Sequence, residues 1–291
     1  MNVQAAINAG LFVQFVYDRW NSVSQTTDLN GQPVLTSAGN PVIPGKSYKV
    51  LNTIYANDLA TMINPARPQL EGSKTLGIVA VNEADPSDVY IAVRGTESIW
   101  EWLQDFNFLQ RPFPNVSGSG LTEDGFTDMY LSFSLTPATG AGSFVKNVVN
   151  LLPSNAMVTV TGHSLGAAIA TLLALDLSVN SSLPVGLYTL ASPRVGDLTF
   201  SHLFNHVVPN AYRIDNRFDV VPKTPPPLFY FHVGDETELL PSSSMKLDLG
   251  CEHYLSSYLN MLAASIQQQA AYPIDPSCLK AAPVAPHPTE L

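Results

Sequence analysis

The run Thr161-Gly162-His163-Ser164-Leu165-Gly166 constrains this chain more than any other segment. It lies between a β-branched stretch, Met157-Val-Thr-Val-Thr161, and an Ala- and Leu-rich stretch over 167–177. The first reads as a strand and the second as a helix, which makes the run a strand-to-helix turn with a serine at its apex. Such a turn lifts the hydroxyl above a sheet. It also crowds the positions two before and two after the serine, so Gly162 and Gly166 have a steric reason to lack side chains. Ala167, Ala168 and Ala170 let the helix approach the sheet closely, and its N-terminus aims N–H groups where negative charge would develop. The bare G-x-S-x-G pattern is common by chance and could be a tight turn with an incidental serine. The strand before it and the helix after it favour a nucleophile at Ser164.

The rest of the chain alternates in the same way. Ile7, Leu11 and Phe15 fall at i, i+4, i+8, one face of an N-terminal helix. Residues 22–46, rich in Ser, Thr, Gly, Asn and Pro, read as loop, and a helix is predicted over 50–63. Strands are predicted at 76–81 and 89–93, joined by a turn at Asp85-Pro86, and again at 185–190, 211–214 and 229–233. Helices are predicted over 125–135, 143–152 and 198–207, with a last one starting near Tyr254. Alternating strands and helices imply an α/β fold: a mostly parallel central sheet with helices on both faces. No fixed-period repeat or long linker interrupts residues 1–280, which read as one domain; residues 281–291, Ala- and Pro-rich, read as a disordered tail.

Charge excludes some functions. Lys and Arg number 14 against 24 Asp and Glu, and a net charge of −10 repels phosphate backbones, so nucleic acid is not an expected partner. Charged residues make up only 13% of the chain, half the usual share of about 25%, which suits a surface that meets apolar substrates. No apolar run approaches the roughly 20 residues a membrane-spanning helix needs. The absence of Lys or Arg before Arg19 argues against a signal peptide at the start of this sequence, leaving localisation open. Cys251 and Cys278 are the two cysteines. A disulfide between them would stabilise by about 3.6 kcal/mol on the chain-entropy model; two packed thiols are the alternative. Neither they nor the histidines form a metal-ligand pattern, so no metal or cofactor is expected.

A serine hydroxyl needs a base, and in such folds the order is Ser, then an acid, then His. His202 and His206 are four apart on a helix and would need a third ligand to hold a metal; a solvated face is the simpler reading. His232 alternates with Tyr230 inside an apolar run, as a structural histidine would, and His287 lies in the tail. His253 falls in a loop-like segment just before the last helix, where a side chain can reach over strand ends. For the acid, Asp176 belongs to the helix after the turn and Asp248 lies close to His253. Asp197, Asp215, Asp219 and Asp235 remain. Asp219 follows a strand and precedes Val-Val-Pro-Lys-Thr-Pro-Pro-Pro, which holds the chain extended. Placement prefers Asp219, with Asp215 and then Asp197 behind it.

The ordered blocks resemble the fungal-type (class 3) lipase family of α/β-hydrolases over roughly residues 48–262. They are Val93-Arg-Gly-Thr96-Glu-Ser98 with Trp102 and Asp105, Gly125-Phe126, Thr161–Gly166, Ala191-Ser-Pro-Arg-Val-Gly196, Asn216-Arg-Phe-Asp219-Val-Val-Pro222, Phe231-His-Val-Gly234 and His253. Where many members carry Gly-Gln, this chain has Ala191-Ser192. The resemblance implies a carboxylic ester hydrolase with Ser164, Asp219 and His253 as its triad and a structural role for His232. It implies an oxyanion hole from the Leu165 N–H and from Thr96, and a lipid or other ester substrate. In such lipases the next segment is a lid; here Ile99, Trp102, Leu103 and Phe106 form a helical stripe, with Trp100 off that face. A fixed helix over an open esterase site is the alternative, and a catalytically silent binding module a remote one.

Overall fold

The computed structural model describes residues 1–22, 26–57, 74–96, 108–135 and 142–280. The N-terminal helix α1 (Val3–Ser22) buries Ile7, Leu11 and Phe15 on one face. Strands β1 (Tyr48–Ala56), β2 (Lys74–Asn82) and β3 (Asp88–Val93) form an antiparallel meander. A two-stranded ribbon, β4 (Gln110–Pro112) with β5 (Leu121–Glu123), precedes α2 (Asp124–Leu131), the short β6 (Ser134–Leu135) and α3 (Phe144–Leu151). From there strand and helix alternate: β7 (Met157–His163), α4 (Leu165–Asn180), β8 (Val185–Leu190), α5 (Leu198–Val207), β9 (Ala211–Asn216) and β10 (Asp235–Leu239). The short α6 (Leu249–His253) and α7 (Leu255–Ser265) follow.

The main sheet has the order β10-β9-β8-β7-β3-β2-β1-β6. From β10 to β3 all pairs are parallel, and from β3 to β6 all are antiparallel. The parallel part needs crossovers; α4 provides the one from β7 to β8 and α5 the one from β8 to β9. Their face of the sheet carries one buried cluster, with Phe126 and Tyr130 of α2, Val148 of α3, Leu172 of α4 and Phe200 of α5. The other face carries a second cluster under α1 and α7, where Phe12 stacks on Tyr90 with ring centroids 4.1 Å apart. Residues Leu165 to Leu177 of α4 are all buried, so this helix shows no polar stripe. No helix among the described residues is long and apolar enough to cross a membrane.

Register sets the site. Val93 lies opposite Gly162, His163 opposite Leu190, and Leu190 opposite Ile214. The carboxyl ends of β3, β7, β8 and β9 therefore finish level, and the segments leaving them meet above one edge, where open α/β sheets bind ligands.

Several expectations need correction. The helix expected over 50–63 is strand β1 as far as Ala56; residues 58–73 lie outside the described residues. Its run Tyr-Lys-Val-Leu-Asn-Thr-Ile-Tyr-Ala is β-branched and aromatic, and pairing with β2 decides the matter. The strand expected over 229–233 is irregular chain with a single bridge from Phe231 to Gly196, and the true edge strand starts at Asp235, after Gly234 turns at φ 71°. Its charged sequence, Asp-Glu-Thr-Glu-Leu, hides the strand from a hydrophobic reading and suits a sheet edge. The helix expected over 125–135 stops at Leu131, and Ser134–Leu135 pairs with β1. His253 closes the short helix α6 rather than lying in a loop. Cys251 and Cys278 form a disulfide, with Cα atoms 5.3 Å apart.

Candidate active site

Ser164 sits between β7 and α4 at φ 59°, ψ −129°, a left-handed conformation that a serine adopts only where its surroundings impose it. Those surroundings are tight. A Cβ on Gly162 would meet the Gly166 carbonyl oxygen at 2.3 Å, and one on Gly166 would meet the Val93 and Arg94 carbonyl oxygens at 2.5 Å. Each glycine thus lets backbone lie against backbone, which brings the end of β3 against the turn. Ala191, after β8, also has a positive φ of 56°, which explains why a glycine suits that position elsewhere in the resembled family.

Ser164, His253 and Asp219 meet in one hydrogen-bonded line. His253 Nε2 lies 2.8 Å from Ser164 Oγ, and His253 Nδ1 lies 2.8 Å from Asp219 Oδ2. All three are buried, at 0%, 5% and 1% exposure. A carboxylate beside Nδ1 can only accept, so Nδ1 carries the proton and Nε2 is left to accept from the serine. Asp219 is itself held from three sides: the Tyr258 hydroxyl donates to Oδ2 at 2.8 Å and the Val221 N–H to Oδ1 at 2.9 Å, besides the imidazole. Tyr258 is kept protonated by burial and by Asp219, its pKa raised well above the ordinary value.

The rival acids are engaged elsewhere. Asp215 is paired with the Arg213 guanidinium. Asp197 caps α5, accepting from the Phe200 N–H at 2.8 Å. Asp176 accepts from the Tyr130 hydroxyl at 2.6 Å, Asp248 caps α6, and Asp235 is exposed at the start of β10. His202 and His206 are exposed on α5, and no metal-holding group of three ligands occurs among the described residues. His232 is partly buried, with Nε2 2.9 Å from the Pro222 carbonyl; desolvation first, then Arg213 and Arg194, lower its pKa to about 3 and keep it neutral.

On the other side of Ser164, Gly95 is pressed so close that a Cβ there would come within 2.9 Å of Ser164 Cβ. Thr96 follows immediately and lines, with His253, a cavity of about 640 Å³. Leu165 is the first residue of α4, so its N–H has no partner within that helix. The two expected oxyanion donors are thus chain neighbours of residues at the serine: Thr96 of Gly95, and Leu165 of Ser164 itself. The expected lid residues Ile99, Trp100, Trp102, Leu103 and Phe106 lie outside the described residues.

A search for histidines downstream of the serine passes over Tyr258, which holds Asp219, and over two further groups at this centre. His163 Nε2 lies 2.8 Å from the His253 carbonyl oxygen, and its Nδ1 lies 3.0 Å from the Tyr17 hydroxyl of α1. Tyr17 in turn accepts from the Gly95 N–H at 2.8 Å. His163 stands inside the run around Ser164 itself, which is a usable signal; nothing local announces Tyr17.

A family model described as "Lipase (class 3)" matches residues 90–229. A lipase from Rhizomucor miehei is 34% identical over 205 residues, covering 67% of this chain and 52% of that protein. "Phospholipase A1-II 3" of Oryza sativa subsp. indica is 32% identical over 263 residues, covering 75% of this chain and 62% of that protein. The chain thus spans between 52% and 62% of the length of these relatives. Among solved structures, the native Rhizomucor miehei lipase propeptide complex superposes with a TM-score of 0.58 at 26% identity, over 81% of this chain and 68% of that one. A deletion mutant of the same complex gives 0.61 at 25% identity, over 88% and 75%. Blocks in this order, on this fold and with these matches, mean that the chain belongs to the class 3 lipase family of α/β-hydrolases.

Proposed function

We propose that this protein hydrolyses carboxylic esters, most closely in the manner of a triacylglycerol lipase, by acyl transfer through Ser164. The observation that carries the reading is the unbroken line from Ser164 Oγ through His253 to Asp219, both links 2.8 Å. His253 Nε2 takes the serine proton as the hydroxyl attacks the ester carbonyl, and Asp219 holds the imidazole in the tautomer this requires. The Leu165 N–H and Thr96 receive the oxyanion. The protonated His253 then gives its proton to the leaving alcohol, and water repeats the cycle on the acyl-enzyme. This chemistry needs no metal or organic cofactor. Residues 1–280 act in it as one unit, since Tyr17, Thr96, Ser164, Asp219 and His253 converge on one sheet edge.

The names of the relatives, lipase, phospholipase A1 and, in Fusarium solani, secreted mono- and diacylglycerol lipase, support a lipid ester met at a lipid–water surface. The cavity supports a second reading. Gln14 and Asn21 of α1 line it together with Tyr254 and Tyr272, a partly polar wall that also suits a short-chain, aromatic or polymeric ester. A fluorophosphonate probe should label the wild type at Ser164 and leave Ser164→Ala unlabelled; an unlabelled wild type would make the chain a silent binding module. With p-nitrophenyl esters of increasing length, a rate jump above the solubility limit marks the lipase. Preference for short, dissolved esters marks the esterase.

A further inference from the structure

We infer that Tyr17 and His163 are positioning residues for this centre: one hydroxyl and one imidazole tie the oxyanion-side strand end to the backbone of His253. The inference rests on the hydrolase reading of Ser164. Each link has a single polarity. The His253 carbonyl can only accept, so His163 Nε2 carries the proton. Burial first, and then His253, lower the pKa of His163 well below its ordinary value, so the ring is neutral and Nδ1 accepts. The Tyr17 hydroxyl therefore donates to His163 Nδ1, which leaves its lone pair to receive the Gly95 N–H at 2.8 Å. Donation runs one way, from Gly95 through Tyr17 and His163 to His253, and such chains strengthen their members.

The chain of bonds spans the parts that must keep register during catalysis. Gly95 precedes Thr96 and packs against Ser164, while His253 bonds to the Ser164 hydroxyl. A Cβ on Gly95 would meet the Tyr17 oxygen at 2.7 Å, so the contact is as close as a glycine permits. The same helix grips the strand end a second time, where the Arg94 guanidinium stacks 3.5 Å from the Trp20 ring centroid. Both α1 and His253 lie outside the segment matched by the family model, residues 90–229. An oxyanion donor must meet its target within a few tenths of an ångström. The effect of loosening it therefore falls on the transition state more than on substrate binding.

The test is a steady-state comparison on a soluble p-nitrophenyl ester, with active sites counted by fluorophosphonate titration. Tyr17→Phe, which deletes only the hydroxyl, should lower kcat per active site about 10- to 100-fold and leave KM within about twofold. His163→Gln keeps one acceptor and one donor at the ring's polar positions, and should retain more of kcat than His163→Leu. A wild-type kcat in Tyr17→Phe, or equal losses in the two His163 variants, overturns the inference. Because a His163 variant may be read only if it folds, nitrogen-15 NMR of the wild type supplies a second arm. It should show His163 as the neutral Nε2–H tautomer, and an Nδ1–H tautomer refutes the bonding pattern. A wild type that reacts with neither probe nor ester sinks the hydrolase reading itself, and the positioning role with it.

Discussion

Asp219 and Asp215 stand on the same stretch of chain, both buried, and their neighbours give them opposite chemistry. Asp219 is surrounded by donors that leave it a localised negative charge beside an imidazole, while Asp215 spends its charge on Arg213, which also reaches Glu236 at 3.2 Å. Substitution should separate the two. Asp219→Asn keeps the shape but favours the wrong imidazole tautomer, and kcat should fall about 10⁴-fold with the fold intact. Asp215→Asn should keep kcat near wild type yet destabilise by about 2–3 kcal/mol, less than the ~3–5 for a fully broken buried pair because Glu236 remains. Rate assays beside urea denaturation measure both, and the reverse pattern would move the acid to Asp215.

The elements that frame the site depend on a few end residues. Strand β7 delivers Ser164 only because Gly162 and Gly166 admit neighbouring carbonyls, and α5 starts where it does because Asp197 caps it. Removing the cap by Asp197→Ala should cost about 1 kcal/mol of stability with no change in kcat. A large loss of kcat at full folding would show instead that Asp197 serves the reaction. The same contrast between stability and rate distinguishes a cap from an acid at every aspartate along this edge, and sequence spacing cannot make that distinction.

At the scale of the whole molecule, His163, His232 and Glu123 each tie stability to pH. His163 and His232 are held neutral in the folded chain, with His232 lowered to about 3, so the unfolded chain binds protons the folded one refuses. Their stabilisation is present above the ordinary histidine range and is lost as pH falls below it, for His232 down to about 3. Glu123, the buried cap of α2, is opposite: burial raises it to about 8, so the folded chain keeps a proton the unfolded one releases. Its contribution is complete below pH 4.5 and is lost as pH rises through about 8. Each group changes stability by up to about 1.4 kcal/mol per pH unit within its window. Thermal melts should trace a dome, and Glu123→Gln should flatten its alkaline side. An alkaline limb unchanged by that substitution would count against the assignment.

Much of this protein was legible in the order of its residues. The turn around Ser164, the α/β alternation and the blocks ending at Asp219 and His253 are local patterns, since propensity, glycine sterics and proline stiffness act over a few residues. Strand β1 was misread and β10 passed over, because a strand is made by its partner: β1 by pairing with β2, and the charged β10 by lying beside β9. The choice among Asp219, Asp215 and Asp197 likewise depended on which donors the fold brings to each carboxylate. Tyr17 is the extreme case. It lies 146 residues from His163 in sequence, yet the packing of α1 on the sheet sets their atoms 3.0 Å apart. Hydrogen bonds reach only that far, and no pattern along the chain records which distant residue will arrive within it.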